Sequence, residues 1–231
     1  MNLKEAIQVH DRLNPLLWNE DMTLKEDVRD RLLEITDYFI DNAQFHLDVL
    51  DAHIVGSNAS FNYTEHSDLD LHLIVNYADI TCSEELARVL CDFQRSSFNN
   101  SYDITIHGVN VELYLEDVNA LTLSNGIYSL FEERWIKVPQ PITDVPEIDI
   151  TGPVEVWAEI INDALESENL QDVVDIINRL YMIRKNSLAV DGEYGKGNQL
   201  FKEIRNLGLL DKLKERKQEL TSDLLTLEAF I

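Results

Sequence analysis

Apolar residues recur along this chain with two different periods, and the change from one to the other divides it. Val28, Leu32, Ile35, Phe39 and Ile40 follow helical spacing, and Thr23-Leu24-Lys25-Glu26 just ahead has the form of a capping box. His53-Ile54-Val55 and the stretch 68–75 instead alternate with period two and predict strands. Ser83 is placed to cap a helix over 84–98, with Leu86, Val89, Leu90 and Phe93 expected on its buried side. Residues 103–107, Gly108 and 109–115 predict a hairpin, and further short strands are expected at 127–130 and 135–138. Four of the five prolines lie between Pro139 and Pro153, which marks a domain boundary. Beyond it, 154–165, 170–190, 198–207 and 209–230 all repeat near 3.6, with Gly208 suited to ending the third. The expected fold class is α+β: an N-terminal mixed β-sheet flanked by helices over 1–138, a linker over 139–153, and a C-terminal helical bundle over 154–231.

The chemistry concentrates where the first two strands meet. Alternation puts Asp68, Asp70 and His72 on one strand face and Leu69, Leu71 and Leu73 in a core. Two acids two residues apart repel each other unless a cation lies between them, and a hard divalent ion such as Mg²⁺ prefers oxygen ligands of this kind. Gly56-Ser57 precedes Asp68 by ten intervening residues and reads as a turn that holds phosphate. The plainer alternative is surface acids on a half-exposed strand beside an ordinary turn. An EF-hand is excluded, because the segment lacks the required glycine and the closing glutamate. Gly195-Lys196-Gly197 lacks the hydroxyl residue after lysine that a Walker A loop needs.

The segment Val55-Gly56-Ser57, ten residues, Asp68-Leu69-Asp70-Leu71 resembles the signature of the DNA polymerase β-like nucleotidyltransferase superfamily. The resemblance implies a third metal ligand from a later strand, an acid between apolar residues, and Val111-Glu112-Leu113 fits it. It also implies that the helical part closes over the nucleotide. Leu13-Asn14-Pro15-Leu16-Leu17-Trp18, Val111-Glu112-Leu113-Tyr114 and the stretch from Gly192 to Lys202 are similar to predicted nucleotidyltransferases of tailed bacteriophages. The expected reaction moves a nucleoside monophosphate from an NTP to a hydroxyl acceptor and releases pyrophosphate, with two Mg²⁺ ions, or Mn²⁺ in their place. Asp68 and Asp70 are expected to bridge both ions and Glu112 to complete one of them. Gly56 and Ser57 are expected to hold the terminal phosphates, with His72 beside the acids as a supporting group. Lys196, in a loop with three of the eight glycines, and Arg184 and Lys185 are expected to reach the triphosphate.

Composition narrows the partner. A formal net charge of −24 opposes broad binding to a nucleic-acid backbone and favours a small-molecule or protein acceptor. More than half of the 19 basic residues nevertheless lie between Arg179 and Lys217, where an anionic substrate is best gripped. No apolar run approaches membrane-spanning length and no charged start leads into one, so membrane insertion and secretion are disfavoured and the cytoplasm is expected, the host's if the chain is phage-encoded. Cys82 and Cys91 are spaced for neither zinc nor a redox pair, and are expected as free, mostly buried thiols on one helix. Trp18, Trp135 and Trp157 are expected in cores or domain interfaces. The second function class is a non-catalytic nucleotide-binding or regulatory module that acts through its acidic surface on a host protein.

Overall fold

The computed structural model describes residues 8–122, 124–143, 148–192 and 194–226. They form two compact units that divide after Thr143, within the proline-bearing stretch. The fold is α+β: one six-stranded mixed sheet, with seven α-helices among the described residues. None of those helices is long and apolar enough to cross a membrane.

The first unit begins with helix α1 (Glu26–Asp41), which buries Val28, Leu32, Ile35 and Phe39 as their spacing predicts. Its N-cap is Lys25, with no side-chain cap, so the capping box does not form. The Thr23 hydroxyl donates instead to Asp21 Oδ1 at 2.6 Å, a local turn that competes with the helix for that oxygen. Strand β1 (Val49–Val55) runs antiparallel to β2 (Leu69–Val75), and β2 runs parallel to β4 (Val109–Asp117). Between β2 and β4 the chain passes through the short helix α2 (Tyr77–Ile80), helix α3 (Glu84–Ser101) and β3 (Thr105–Ile106). Strands β5 (Ile127–Ser129) and β6 (Arg134–Lys137) complete the order β3-β4-β2-β1-β5-β6. The β3–β4 hairpin turns at His107 and Gly108, both with positive φ.

One sheet face is apolar. Ile54, Leu69, Leu71, Leu73 and Leu113 are fully buried there in one core with Phe39, Leu17 and Trp18. Burying side chains of this size stabilises the fold by about 1.5–3 kcal/mol each. Trp18 stacks on Trp135 at 4.8 Å, and its indole N–H donates to the Asn58 carbonyl at 2.7 Å.

Helix α3 corrects two expectations. Ser83 does cap it, accepting from the Leu86 N–H. The side turned inward, however, is Ala87, Cys91, Gln94 and Phe98, while Leu86, Val89 and Phe93 are exposed, Phe93 by 68%. Hydrophobicity alone does not choose between neighbouring arcs of a helix. Cys91 is buried as expected, whereas Cys82 is exposed and precedes the helix. Past its short pairing with β3, the outer edge of β4 is closed by α3: Asn99 Nδ2 donates to the Leu113 carbonyl at 2.9 Å, and its Oδ1 accepts from the Leu113 N–H at 3.2 Å.

The second unit holds α4 (Thr151–Glu166), α5 (Leu170–Asp191), α6 (Lys196–Asn206) and α7 (Leu209–Leu225) around Ile161, Leu180, Ile204 and Leu213, all fully buried. Helix α4 starts ahead of residue 154, because Gly152 and Pro153 fit its first turn, where proline's missing N–H costs nothing. Gly208, left-handed, separates α6 from α7 as expected. Helix α7 ends at Leu225, with Thr226 extended, short of the expected 209–230, whose last four residues lie outside the described residues. Gly195 and Gly197 have a packing role: a Cβ on Gly195 would meet Ser187 Oγ at 2.2 Å, and one on Gly197 would meet Ile183 Cγ2 at 2.9 Å. These glycines let the start of α6 approach α5 closely.

Candidate active site

The second sheet face is polar, and strand register assembles it. Asp70 pairs with Glu112 across the parallel β2–β4 ladder and with Val55 across the antiparallel β1–β2 ladder. Two sequence-predicted acids therefore stand on neighbouring strands about 4.8 Å apart at the backbone. Val55 opposite Asp70 also brings the next residue, Gly56, against the same carboxylate. Gly56 has φ 73° and ψ −157°, a region that is essentially glycine's alone, and a Cβ there would lie 1.9 Å from Asp70 Oδ2. The turn continues as a single 3₁₀ turn (Ser57–Ala59), and the Gly56 N–H donates to Ser124 Oγ at 3.1 Å.

Asp68 lies one residue ahead of β2. Its backbone is fixed by Asn58, whose Nδ2 donates to the carbonyls of Ser67 at 3.0 Å and Asp68 at 2.8 Å. Asn58 is fully buried and its Oδ1 accepts from Asn14 Nδ2 at 2.8 Å. This residue went unread in the sequence. A lone asparagine in a turn has no periodic signature, and its partners come from remote segments.

His72 and Tyr114 extend the row on the same face. Tyr114 OH donates to Glu112 Oε2 at 2.5 Å. Burial first, and then this hydrogen bond, push the phenol well above its ordinary range, so it remains a donor. His72 Nδ1 lies 2.7 Å from Glu116 Oε2, and Glu116 Oε1 accepts from Thr122 Oγ1 at 2.6 Å. The His72 hydrogen bond, against the opposing effect of burial, holds the Glu116 carboxyl below its usual value, with Thr122 adding to it. His72, on the same strand face as Asp70, is thus braced by Glu116.

Across β1, His53 pairs with His72 and carries its own carboxylate, Asp51, at 3.0 Å. Burial alone would raise the Asp51 carboxyl, but hydrogen bonds from His53, Ser129 and the Ala52 N–H outweigh it and hold the carboxyl low. A depressed folded-state pKa contributes stability above the unfolded carboxylate range, near 3.9, and loses it as pH falls through the folded value. In urea melts, wild type is thus expected to exceed Asp51→Asn in stability near neutral pH, with the gap closing progressively below about pH 4. A gap independent of pH would contradict the assignment.

The basic residues expected at the triphosphate belong to the helical unit. Arg184 and Lys185 are on α5, with the Arg184 guanidinium 4.8 Å over the Phe201 ring, and exposed Lys196 opens α6. Lys196 is near enough to Asp149 to help lower its carboxyl, after the hydrogen bonds from Thr151.

Among the described residues, no three His, Cys, Asp or Glu side chains form a group that would hold a metal ion. The backbone brings together a pair, Asp70 and Glu112, with Asp68 at the strand's start. The donor chemistry of the pair suits a hard divalent cation, and the absence of a Cβ on Gly56 lets its turn pack directly against the Asp70 carboxylate. No protein-family model, curated protein or solved structure matches the chain.

Proposed function

We propose that the chain is a metal-dependent nucleotidyltransferase of the polymerase β-like fold, transferring a nucleoside monophosphate from an NTP to a hydroxyl acceptor with release of pyrophosphate. The observation that carries this reading is the in-register pair Asp70 and Glu112 with Gly56 pressed against Asp70. Two neighbouring carboxylates are costly to hold together without a cation, and a backbone conformation that only glycine tolerates lets the turn press directly against one of them.

Asp68, Asp70 and Glu112 would hold Mg²⁺ or Mn²⁺, two ions in this reading. When bound, such ions neutralise phosphate charge and make the acceptor hydroxyl a better nucleophile. Ser57 and the N–H groups of its turn would hold the terminal phosphates, and His72 would keep Glu116 in place beside the acids. Lys196, Arg184 and Lys185 would offset triphosphate charge from the helical unit. With a net charge of −24, a small-molecule or protein acceptor is favoured over a nucleic acid, and the working compartment would be a cytoplasm, that of the host for a phage protein.

The absence of a three-ligand group among the described residues favours a second reading, a non-catalytic nucleotide-binding or regulatory module acting through its acidic surface on a host protein. Thermal melts with each NTP and Mg²⁺ or Mn²⁺, followed by assays with α-labelled NTP and candidate acceptors, test both. A ligand at a hundred times its Kd adds about 2.7 kcal/mol, a rise of several degrees in Tm. Stabilisation with label transfer supports the enzyme, and stabilisation without transfer to any acceptor supports the module. No response to any NTP removes the proposed function.

A further inference from the structure

The hydrogen bond from Tyr114 to Glu112 joins residues two apart on one strand face, and at 2.5 Å it is a short contact of the kind made to an ionised carboxylate. A glutamate has three rotatable bonds, so its carboxylate keeps one orientation only when something outside the side chain fixes it. The phenol is itself fixed. The Arg95 guanidinium lies 4.9 Å over one side of the Tyr114 ring, and the His72 ring packs 4.8 Å from it at 38°. Arg95 is tied to Asp92 at 3.1 Å, and His72 to Glu116 at 2.7 Å. The donor therefore sits in a frame built from α3 and two strands, and it engages Oε2 of Glu112 while leaving Oε1 to offer to a cation.

We propose that Tyr114 is a positioning residue that orients the Glu112 carboxylate for metal binding. The proposal rests on the nucleotidyltransferase reading and adds to it a residue that touches neither substrate nor ion. Carboxylate ligands commonly depend on such outer hydrogen bonds, and losing one costs about 10–100-fold in metal affinity.

The test uses Mn²⁺ alone, with free ion followed by electron paramagnetic resonance, on wild type, Tyr114→Phe, Glu112→Gln and the double variant. Phenylalanine keeps the ring that Arg95 and His72 pack on and removes only the oxygen. Tyr114→Phe is expected to bind Mn²⁺ about 10–100-fold more weakly, with a Tm in the absence of metal close to that of wild type. In the Glu112→Gln background the same change is expected to have no further effect, because the hydroxyl acts through the carboxylate. Wild-type affinity in Tyr114→Phe, or an undiminished effect in the Glu112→Gln background, overturns the role of Tyr114 and leaves the proposed function standing. Wild type that binds no Mn²⁺ removes the proposed function and this inference together.

Discussion

Asp70→Asn is expected to lower transfer of α-labelled nucleotide on the order of a thousandfold, the scale seen when one preorganised electrostatic group is lost, while the protein remains folded. The substitution preserves shape and removes one charge at the point where register sets Asp70 beside Glu112. Wild type carries two acids there, so relieving their repulsion should leave Tm unchanged or slightly raised without metal. The stabilisation by Mn²⁺ with NTP should disappear along with the turnover. Wild-type rates in the variant would remove Asp70 from the chemistry. A collapse of Tm without metal would show that its role is structural.

Gly56→Ala should be as damaging to activity by a different route. A methyl group there meets Asp70 Oδ2 at 1.9 Å, so either the turn or the carboxylate has to move, and the φ of 73° adds strain of about 1–3 kcal/mol. Gly108→Ala separates these effects. Gly108 has φ 82° at the tip of the β3–β4 hairpin, with nothing within 4 Å of where its Cβ would stand. Both variants are expected to melt a few degrees lower, and only Gly56→Ala should lose nucleotide-dependent stabilisation and transfer. Nearly full activity in Gly56→Ala would mean that the turn does not set the position of Asp70.

The candidate site was legible where local rules decide it. Period-two alternation put Asp70 and His72 on one face and the leucines on the other. Register is a tertiary fact, yet burial of one face leaves few alternatives, so the meeting of Asp70 with Glu112 could be anticipated. What escaped was long-range or depended on packing distance. Asn58 joins Asn14, Ser67 and Asp68 through single hydrogen bonds that leave no pattern in the chain. Helix α3 turns Ala87, Cys91, Gln94 and Phe98 inward and leaves Leu86, Val89 and Phe93 exposed, a choice of arc that amphipathic spacing alone does not express. The Thr23 motif had the letters of a cap, but its hydroxyl donates to Asp21, and the helix has Lys25 as its N-cap without a side-chain cap. Gly195 and Gly197, expected with Lys196 in a loop, instead give clearance where α6 meets α5.

Asn99 grips a single residue of β4, taking both the N–H and the C=O of Leu113. If β4 slid by one residue along β2, an apolar side chain would stand opposite Asp70, and Glu112 would turn into the hydrocarbon interior. The amide on α3 thus acts as an indexing pin from outside the sheet, selecting which of two frames the strand adopts and so whether the two carboxylates meet.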